Sequence, residues 1–192
     1  MNREEFEIKM KQTMESQQYC SSDEIEYFVK KAILVLDQRP LANFRGFHNI
    51  LIVIEELNEL IHELTNYMLG IPSLIGIKEE LADVILGFHL ISNIYNIPMP
   101  DRNDYVVSGD VIDEKELTSM LISNLTLIGQ LLTKSLRNNT INTDNLYVYI
   151  ENSMCCINTL CNMTNISKDE LQAGIFVKLH RCIENLDDSH YN

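Results

Sequence analysis

Two pairs of acidic residues in the first half of the chain have the spacing of a metal-binding site. Glu56 and Glu59 lie three residues apart, and Glu80 and Asp83 repeat that spacing roughly twenty residues later. Residues three apart on a helix share one face, with Cβ atoms about 5–6 Å apart. Carboxylate oxygens are hard ligands that suit Mg²⁺ or Mn²⁺. The pattern therefore predicts that two neighbouring helices bring four carboxylates together around a divalent cation.

The residues that surround these four acids are strongly apolar. They are Leu51, Ile52, Ile54, Leu57, Leu60 and Ile61 around the first pair, and Leu81, Val84, Ile85 and Leu86 around the second. A helix that is apolar around most of its circumference is buried, so we expect Glu56 and Asp83 to lie partly inside the protein. Converging carboxylates there must be protonated, paired with cations or bound to metal. The alternative for acids on a helix is a solvated face, which we expect for Glu55, Glu63 and Glu79.

The elements that must position these acids are helices. Apolar residues recur at i, i+3, i+4 and i+7, and only 7 Gly and 4 Pro interrupt the pattern. Ser22, followed by two acids, predicts one helix start, and the capping box Ser167-Lys168-Asp169-Glu170 predicts another. The spacing predicts helices over 2–18, 22–38, 47–69, 75–96, 112–138, 143–165 and 168–187. We therefore predict an all-α protein, with a single domain over 1–192 that forms a multi-helix bundle around the acidic helix hairpin.

An irregular stretch over 97–111 divides the chain into a metal-binding hairpin half, 40–97, and a second helical half, 112–187. Residues 90–97 align with residues 159–166 and share three identical residues with them. An ancient duplication would explain this match, and so would the general likeness of amphipathic helices. A degenerate second copy could not bind metal in the same way. Its equivalents of the four acids would be Asn124, Leu127, Tyr149 and Asn152.

Composition excludes several classes of function. The formal net charge is −13, which repels phosphate backbones and anionic headgroups and so argues against nucleic-acid and membrane-surface binding. A nucleotide substrate remains compatible, because bound divalent cations invert the local charge. We expect no membrane segment and no signal peptide, since no apolar run is long enough and the first residues are acidic. The five cysteines form no Cys-x-x-Cys pair, and Cys155, Cys156 and Cys161 fall among apolar residues, so we expect these three in the core and the protein in a reducing cytoplasm.

The acidic segments carry a resemblance to a known family. Glu55-Glu56-Leu57-Asn58-Glu59-Leu60, with Glu80-Leu81-Ala82-Asp83-Val84-Ile85, resembles the ExxE…ExxD signature of the all-α nucleoside triphosphate pyrophosphohydrolases, which include MazG-type enzymes and dimeric dUTPases. The likeness covers roughly residues 43–97. Upstream, Gly46-Phe47-His48-Asn49 resembles the approach to this motif in many relatives, with Asn49 where the family often has Gln. In the last helix, Lys178-Leu179-His180-Arg181 resembles the basic element that meets phosphates in such proteins.

The resemblance implies an enzyme that cleaves between the α- and β-phosphates of a (deoxy)nucleoside triphosphate and releases the monophosphate and pyrophosphate. Mg²⁺ or Mn²⁺ would be the cofactor. The implied metal ligands are Glu56, Glu59, Glu80 and Asp83. Glu56 and Glu59 would be catalytic, with one carboxylate orienting the attacking water, while Asn49, Lys178 and Arg181 would bind the substrate. We also expect a homodimer, because one such hairpin exposes more apolar surface than it covers.

Three alternatives stay open at this stage. Lys178 and Arg181 would equally suit a solvated pair that complements the end of the last helix. Glu59-Leu60-Ile61-His62 matches the Glu-x-x-His of di-iron bundles, although the partner segment lacks a second such motif. The chain could also be a non-catalytic binding or regulatory protein that keeps the fold. The acidic stretch 184–188 replaces the Asn- and Arg-rich ending of dimeric dUTPases and so does not support a uracil preference.

Overall fold

The prediction of an all-α bundle is confirmed. The computed structural model describes residues 1–38, 45–71, 73–100 and 113–188, and within these ranges it contains seven α-helices and no strand. The helices are α1 Arg3–Glu15, α2 Ser22–Asp37, α3 Phe47–Met68, α4 Leu74–Tyr95, α5 Glu114–Asn138, α6 Thr143–Met163 and α7 Lys168–Asp188. Each predicted helix therefore corresponds to one observed helix, with small differences at the ends.

Two helix starts show how the sequence fixes these boundaries. The N-cap of α2 is Ser21 rather than the predicted Ser22. The Glu24 backbone N–H donates to the Ser21 hydroxyl, and the Ser21 backbone N–H donates to the Glu24 carboxylate. The predicted capping box of α7 is confirmed. Ser167 N–H donates to Glu170 at 2.8 Å, and Glu170 N–H donates to the Ser167 hydroxyl at 3.1 Å. Both boxes satisfy amide groups that the first helical turn leaves unpaired.

Two helix hairpins form the centre of the bundle. Helices α3 and α4 pair across a short connection, α5 and α6 pair likewise, and α3 also packs against α5. Helix α7 packs along α4, with α1 and α2 beside it. The main core draws buried side chains from α2 to α7. A second, smaller cluster of Phe6, Met10, Ala173 and Val177 attaches α1 to α7.

The acid-bearing helices approach each other closely near the predicted site. A Cβ atom added at Gly87 would lie 3.2 Å from Cγ2 of Val53, so a larger residue in α4 would press on the facing α3. Val53 is one turn before Glu56, and Gly87 is one turn after Asp83. The small residue therefore lets the two acid-bearing segments face each other at short range.

Part of the predicted irregular stretch falls within the structure. Residues 97–100 follow α4 without helical structure, while 101–112 lie outside the described residues. Helices α3 and α4 lie in the predicted first half and α5 to α7 in the second, while the division into two halves and their origin by duplication stay predictions. In the described ranges, no helix combines the length and apolar content needed to cross a membrane.

Candidate metal centre

Three of the four predicted metal ligands meet between α3 and α4. Glu56, Glu59 and Glu80 each offer a carboxylate oxygen, and these three oxygens lie within 4.8 Å of one another. We call these three residues the carboxylate cluster. Glu59 is exposed, Glu56 is half-buried and Glu80 is buried, so the carboxylate cluster extends from the surface into the interior. The expectation that Glu56 lies partly inside is confirmed.

Within the carboxylate cluster, Glu80 has a buried carboxylate oxygen without a hydrogen-bond partner among the described residues. Glu80 is 8% exposed, and the unpartnered oxygen is its Oε2. Leaving a buried carboxylate oxygen without a donor or a cation costs free energy. Burial, with the nearby Asp83 charge, raises the pKa of Glu80 to about 8. Burial, together with Asp83 and Glu59, raises the pKa of Glu56 to about 7.

These observations fit an oxygen-preferring divalent cation. Burial and neighbouring charges disfavour the ionised forms of Glu56 and Glu80, and a bound cation would favour those forms by replacing their protons. Glu56, Glu59 and Glu80 supply only oxygen, which is the donor set that Mg²⁺ and Mn²⁺ prefer. The unpartnered Glu80 oxygen lies where such an ion would be needed.

The fourth predicted ligand, Asp83, has a different partner. Its Oδ2 lies 2.5 Å from the Lys178 ammonium, which also bonds Oε1 of Glu79 at 2.8 Å. Lys178 is only 6% exposed. Burial works to lower the pKa of Lys178, but Asp83 and Glu79 outweigh it and hold that pKa above its ordinary value. Asp83 is partly buried as predicted, and it is not one of the three mutually close carboxylates.

The expectation that Glu63 and Glu79 form a solvated face is wrong. They are 6% and 7% exposed, and each is buried with a cation. Arg3 of α1 donates to Glu63, and its Nε lies 3.9 Å from Oε2 of Glu79. Glu55, by contrast, is exposed as expected. Burial here depends on partners from α1 and α7, which the local pattern of α3 and α4 does not contain.

The structure does not bring the predicted substrate-binding residues together. Asn49 is fully buried, and its side-chain amide donates to the Ala32 carbonyl of α2 at 3.4 Å. Arg181 lines a separate groove of about 280 Å³ between α1 and α7, beside Lys9. Lys178 is buried against Asp83, so for Lys178 the alternative of a solvated helix-end pair is wrong as well.

A larger groove of about 910 Å³ opens beside the carboxylate cluster, and we call it the acidic groove. Glu59, Glu80 and Arg3 lie in its wall. Its other lining residues are Leu51, Ile54, Glu55, Asn58, His62, Glu63, Asn66, Ile71 and Ser73. This volume is within the range of pockets that bind small molecules. The acidic groove therefore combines apolar surface, neutral polar groups and carboxylates in one place.

Arg3 and Asn66 are among the lining residues that the sequence did not predict to face a ligand. Arg3 is one of fifteen basic residues, and its partner Glu63 is 60 positions away, so no local signal distinguishes it. Asn66 lies 3.0 Å from Nε2 of His62, one turn further along α3. His62 lines the acidic groove without belonging to the three mutually close ligand groups, which does not favour a di-iron site.

Comparison with known proteins gives no relative from which a function could be transferred. No family model, no curated protein and no solved structure matches this chain. The resemblance to the all-α nucleoside triphosphate pyrophosphohydrolases therefore remains a prediction, and the geometry of this chain must carry the functional argument.

Proposed function

We propose that this protein is a Mg²⁺-dependent nucleoside triphosphate pyrophosphohydrolase that releases a (deoxy)nucleoside monophosphate and pyrophosphate. One observation carries the proposal. The carboxylate cluster, with the unpartnered Oε2 of Glu80, borders a groove of about 910 Å³. A triphosphate brings three to four negative charges, so an acidic site can accept it only with divalent cations.

The carboxylate cluster would hold Mg²⁺ or Mn²⁺. When bound, the ion would neutralise phosphate charge and lower the pKa of a coordinated water. Glu59 is exposed and lines the acidic groove, so we assign it the carboxylate oxygen that orients the attacking water. Glu56 and Glu80 are set deeper and would fix the ion's position.

In this proposal, Arg3 provides the positive charge for substrate binding that the resemblance had implied for Lys178 and Arg181. Among the residues that line the acidic groove, it is the one with a permanent positive charge. Its side chain is half-exposed, and its recorded ion pairs are with Glu63 and Glu79. A guanidinium has five N–H donors in a planar fork, so donors remain for phosphate oxygens. We propose that Arg3 contacts the substrate phosphates.

The apolar and neutral polar parts of the acidic groove would hold the nucleoside. Leu51, Ile54 and Ile71 offer apolar contact, and Asn58 offers an amide. No residue of this wall encodes a particular base, so we propose the substrate class without a base preference.

Exposed Leu51, Ile52 and Leu74 support the proposal of a homodimer, which sedimentation equilibrium would test. The absence of disulfides among the five cysteines supports the proposal of a cytoplasmic location.

The direct test is product analysis with a panel of ribo- and deoxynucleoside triphosphates in the presence of Mg²⁺. The proposal predicts monophosphate and pyrophosphate in equal amounts, and no product when EDTA is present. Glu59→Gln keeps the side-chain shape and removes the charge, so it should abolish turnover while helicity is unchanged. The exposed Glu26→Gln in α2, distant in sequence from the site, is the matched control and should keep full activity. Activity of Glu59→Gln equal to that of the control would refute the assignment.

A specific observation favours the second candidate, a non-catalytic binding or regulatory protein. Asp83, one of the four expected ligands, is already paired with Lys178. If this alternative is correct, nucleotide and Mg²⁺ would raise the melting temperature together while no triphosphate of the panel is cleaved. Cleavage of any of them would exclude it.

A further inference from the structure

Lys178 and the carboxylate cluster belong to one group of charges. The Lys178 ammonium acts electrostatically on Glu56 and Glu80, and so does Asp83. Lys178 is itself in direct contact with Asp83 at 2.5 Å and with Glu79 at 2.8 Å. The group therefore already contains one buried cation supplied by the protein, on the α7 side of the acidic residues.

We infer that the site holds a single divalent cation, and that the Lys178 ammonium neutralises Asp83 and Glu79 in place of a second one. The inference rests on the proposed function for the identity of the metal centre, and it adds the number of ions and the role of Lys178. The resemblance had instead implied Asp83 as a fourth metal ligand.

The distribution of satisfied and unsatisfied oxygens supports one ion. Asp83 and Glu79 each have a charge-assisted contact with Lys178. Among the described carboxylates, the buried oxygen that lacks any partner belongs to Glu80, inside the carboxylate cluster. An external cation is therefore needed at the carboxylate cluster and not at Asp83 and Glu79. A second divalent ion near Asp83 would be repelled by the adjacent ammonium.

Lys178 is fixed in this place rather than free to reach a substrate. Its side chain is 7% exposed, and its ammonium lies 5.5 Å from the centre of the Phe6 ring of α1. Glu79, its second partner, is also near Arg3. Contacts from α1 and α4 thus enclose the ammonium, so Lys178 is a positioning residue that acts through Asp83 and Glu79.

Metal stoichiometry tests the inference without relying on activity. The full chain is titrated with Mn²⁺ alone, by calorimetry and by the electron paramagnetic resonance signal of free Mn²⁺. The wild type and Lys178→Arg should bind one ion per chain. Lys178→Met should bind two, because Asp83 and Glu79 then need a cation. Glu80→Gln should weaken binding by about tenfold or more, and Asp83→Asn should keep one ion with an affinity within about threefold of wild type.

A second variant keeps the test decisive if Lys178→Met does not fold. The double variant Lys178→Met with Asp83→Asn removes one charge of each sign and should bind one ion. Two ions on the wild type, or one ion on a folded Lys178→Met, would overturn the inference and leave the proposed function standing. Loss of binding in Asp83→Asn as large as in Glu80→Gln would also overturn it, because Asp83 would then be a ligand. No Mn²⁺ binding by the wild type would refute the metal centre, and the proposed function with it.

Discussion

The two central hairpins share one architecture, but only the first carries acids at the aligned positions. In α3 and α4, fully buried Leu60 and Leu81 pack beside acids that are themselves partly or wholly buried. In α5 and α6, fully buried Leu125 and Ile150 pack in the same core. The positions that the sequence aligns with the four acids there are uncharged, namely Asn124, Leu127, Tyr149 and Asn152.

This difference shows that a hairpin of this bundle does not need acids in order to fold. The acids of α3 and α4 instead impose an electrostatic cost, which is offset by cations from elsewhere in the chain. Lys178 comes from α7 and Arg3 from α1, whereas among the described residues no cation forms an ion pair with the carboxylate cluster. The proposed function would account for this grouping of costly acids beside a groove.

The largest predicted effect on the free energy of unfolding comes from removing the Lys178 ammonium. Lys178→Met leaves Asp83 and Glu79 buried without their partner, so in metal-free buffer it should lower the free energy of unfolding by about 3–5 kcal/mol. Lys134→Met, at an exposed position of α5, removes the same charge and should change the free energy of unfolding by less than about 0.5 kcal/mol. Urea denaturation of both variants measures the difference. Equal, small losses would show that the Lys178 ion pairs contribute little.

The next effect is stabilisation by metal. An ion that binds only the folded protein, at 100 times its dissociation constant, raises the free energy of unfolding by about 2.7 kcal/mol. Thermal and urea unfolding with and without Mn²⁺ should show this gain in the wild type. The gain should fall to about half or less in Glu80→Gln and be fully kept in Asn152→Gln, which alters the aligned position of the second hairpin. A gain in Glu80→Gln equal to that of the wild type would place the ion elsewhere.

The pH dependence of metal-free stability should also come from the first hairpin. The pKa values of Glu56 and Glu80, about 7 and about 8, lie above the ordinary value of 4.5, so the folded state binds protons that the unfolded state has released. Stability should therefore fall as the pH rises from about 5 to about 8. Urea unfolding at several pH values measures this slope.

The control for this slope is the double variant Glu56→Gln with Glu80→Gln. It cannot titrate at these two positions and should lose most of this slope, while Asp83, whose pKa burial also raises, still titrates. A wild-type profile that is flat, or one that rises with pH, would contradict the burial of these carboxyls.

The smallest effect compares one glycine from each hairpin. Gly87→Ala in α4 would place a Cβ 3.2 Å from the stiff, buried Val53 and should lower the free energy of unfolding by about 1 kcal/mol. Gly129→Ala in α5 meets nothing within 4 Å and should raise it by about 0.5–1 kcal/mol, because alanine favours the helix. Changes of the same sign in the two variants would show that α3 and α4 are not the more tightly packed pair.

Local patterns in the sequence were sufficient to predict the described helices and the carboxylate cluster. Apolar periodicity located every helix, and the i, i+3 spacing of Glu56 and Glu59 set them on one face. Contacts between distant segments were out of reach, because no short-range pattern links Arg3 to Glu63 or Lys178 to Asp83. Burial of Glu63 therefore contradicts the solvated face that its own helix suggested.

Location of the ion tests the central claim most directly. Crystals of the wild-type protein soaked in Mn²⁺ should give one anomalous difference peak per chain, in contact with oxygens of Glu56, Glu59 and Glu80, while Lys178 stays on Asp83. A map with no peak at those three side chains, from crystals in which they are ordered, would contradict the account.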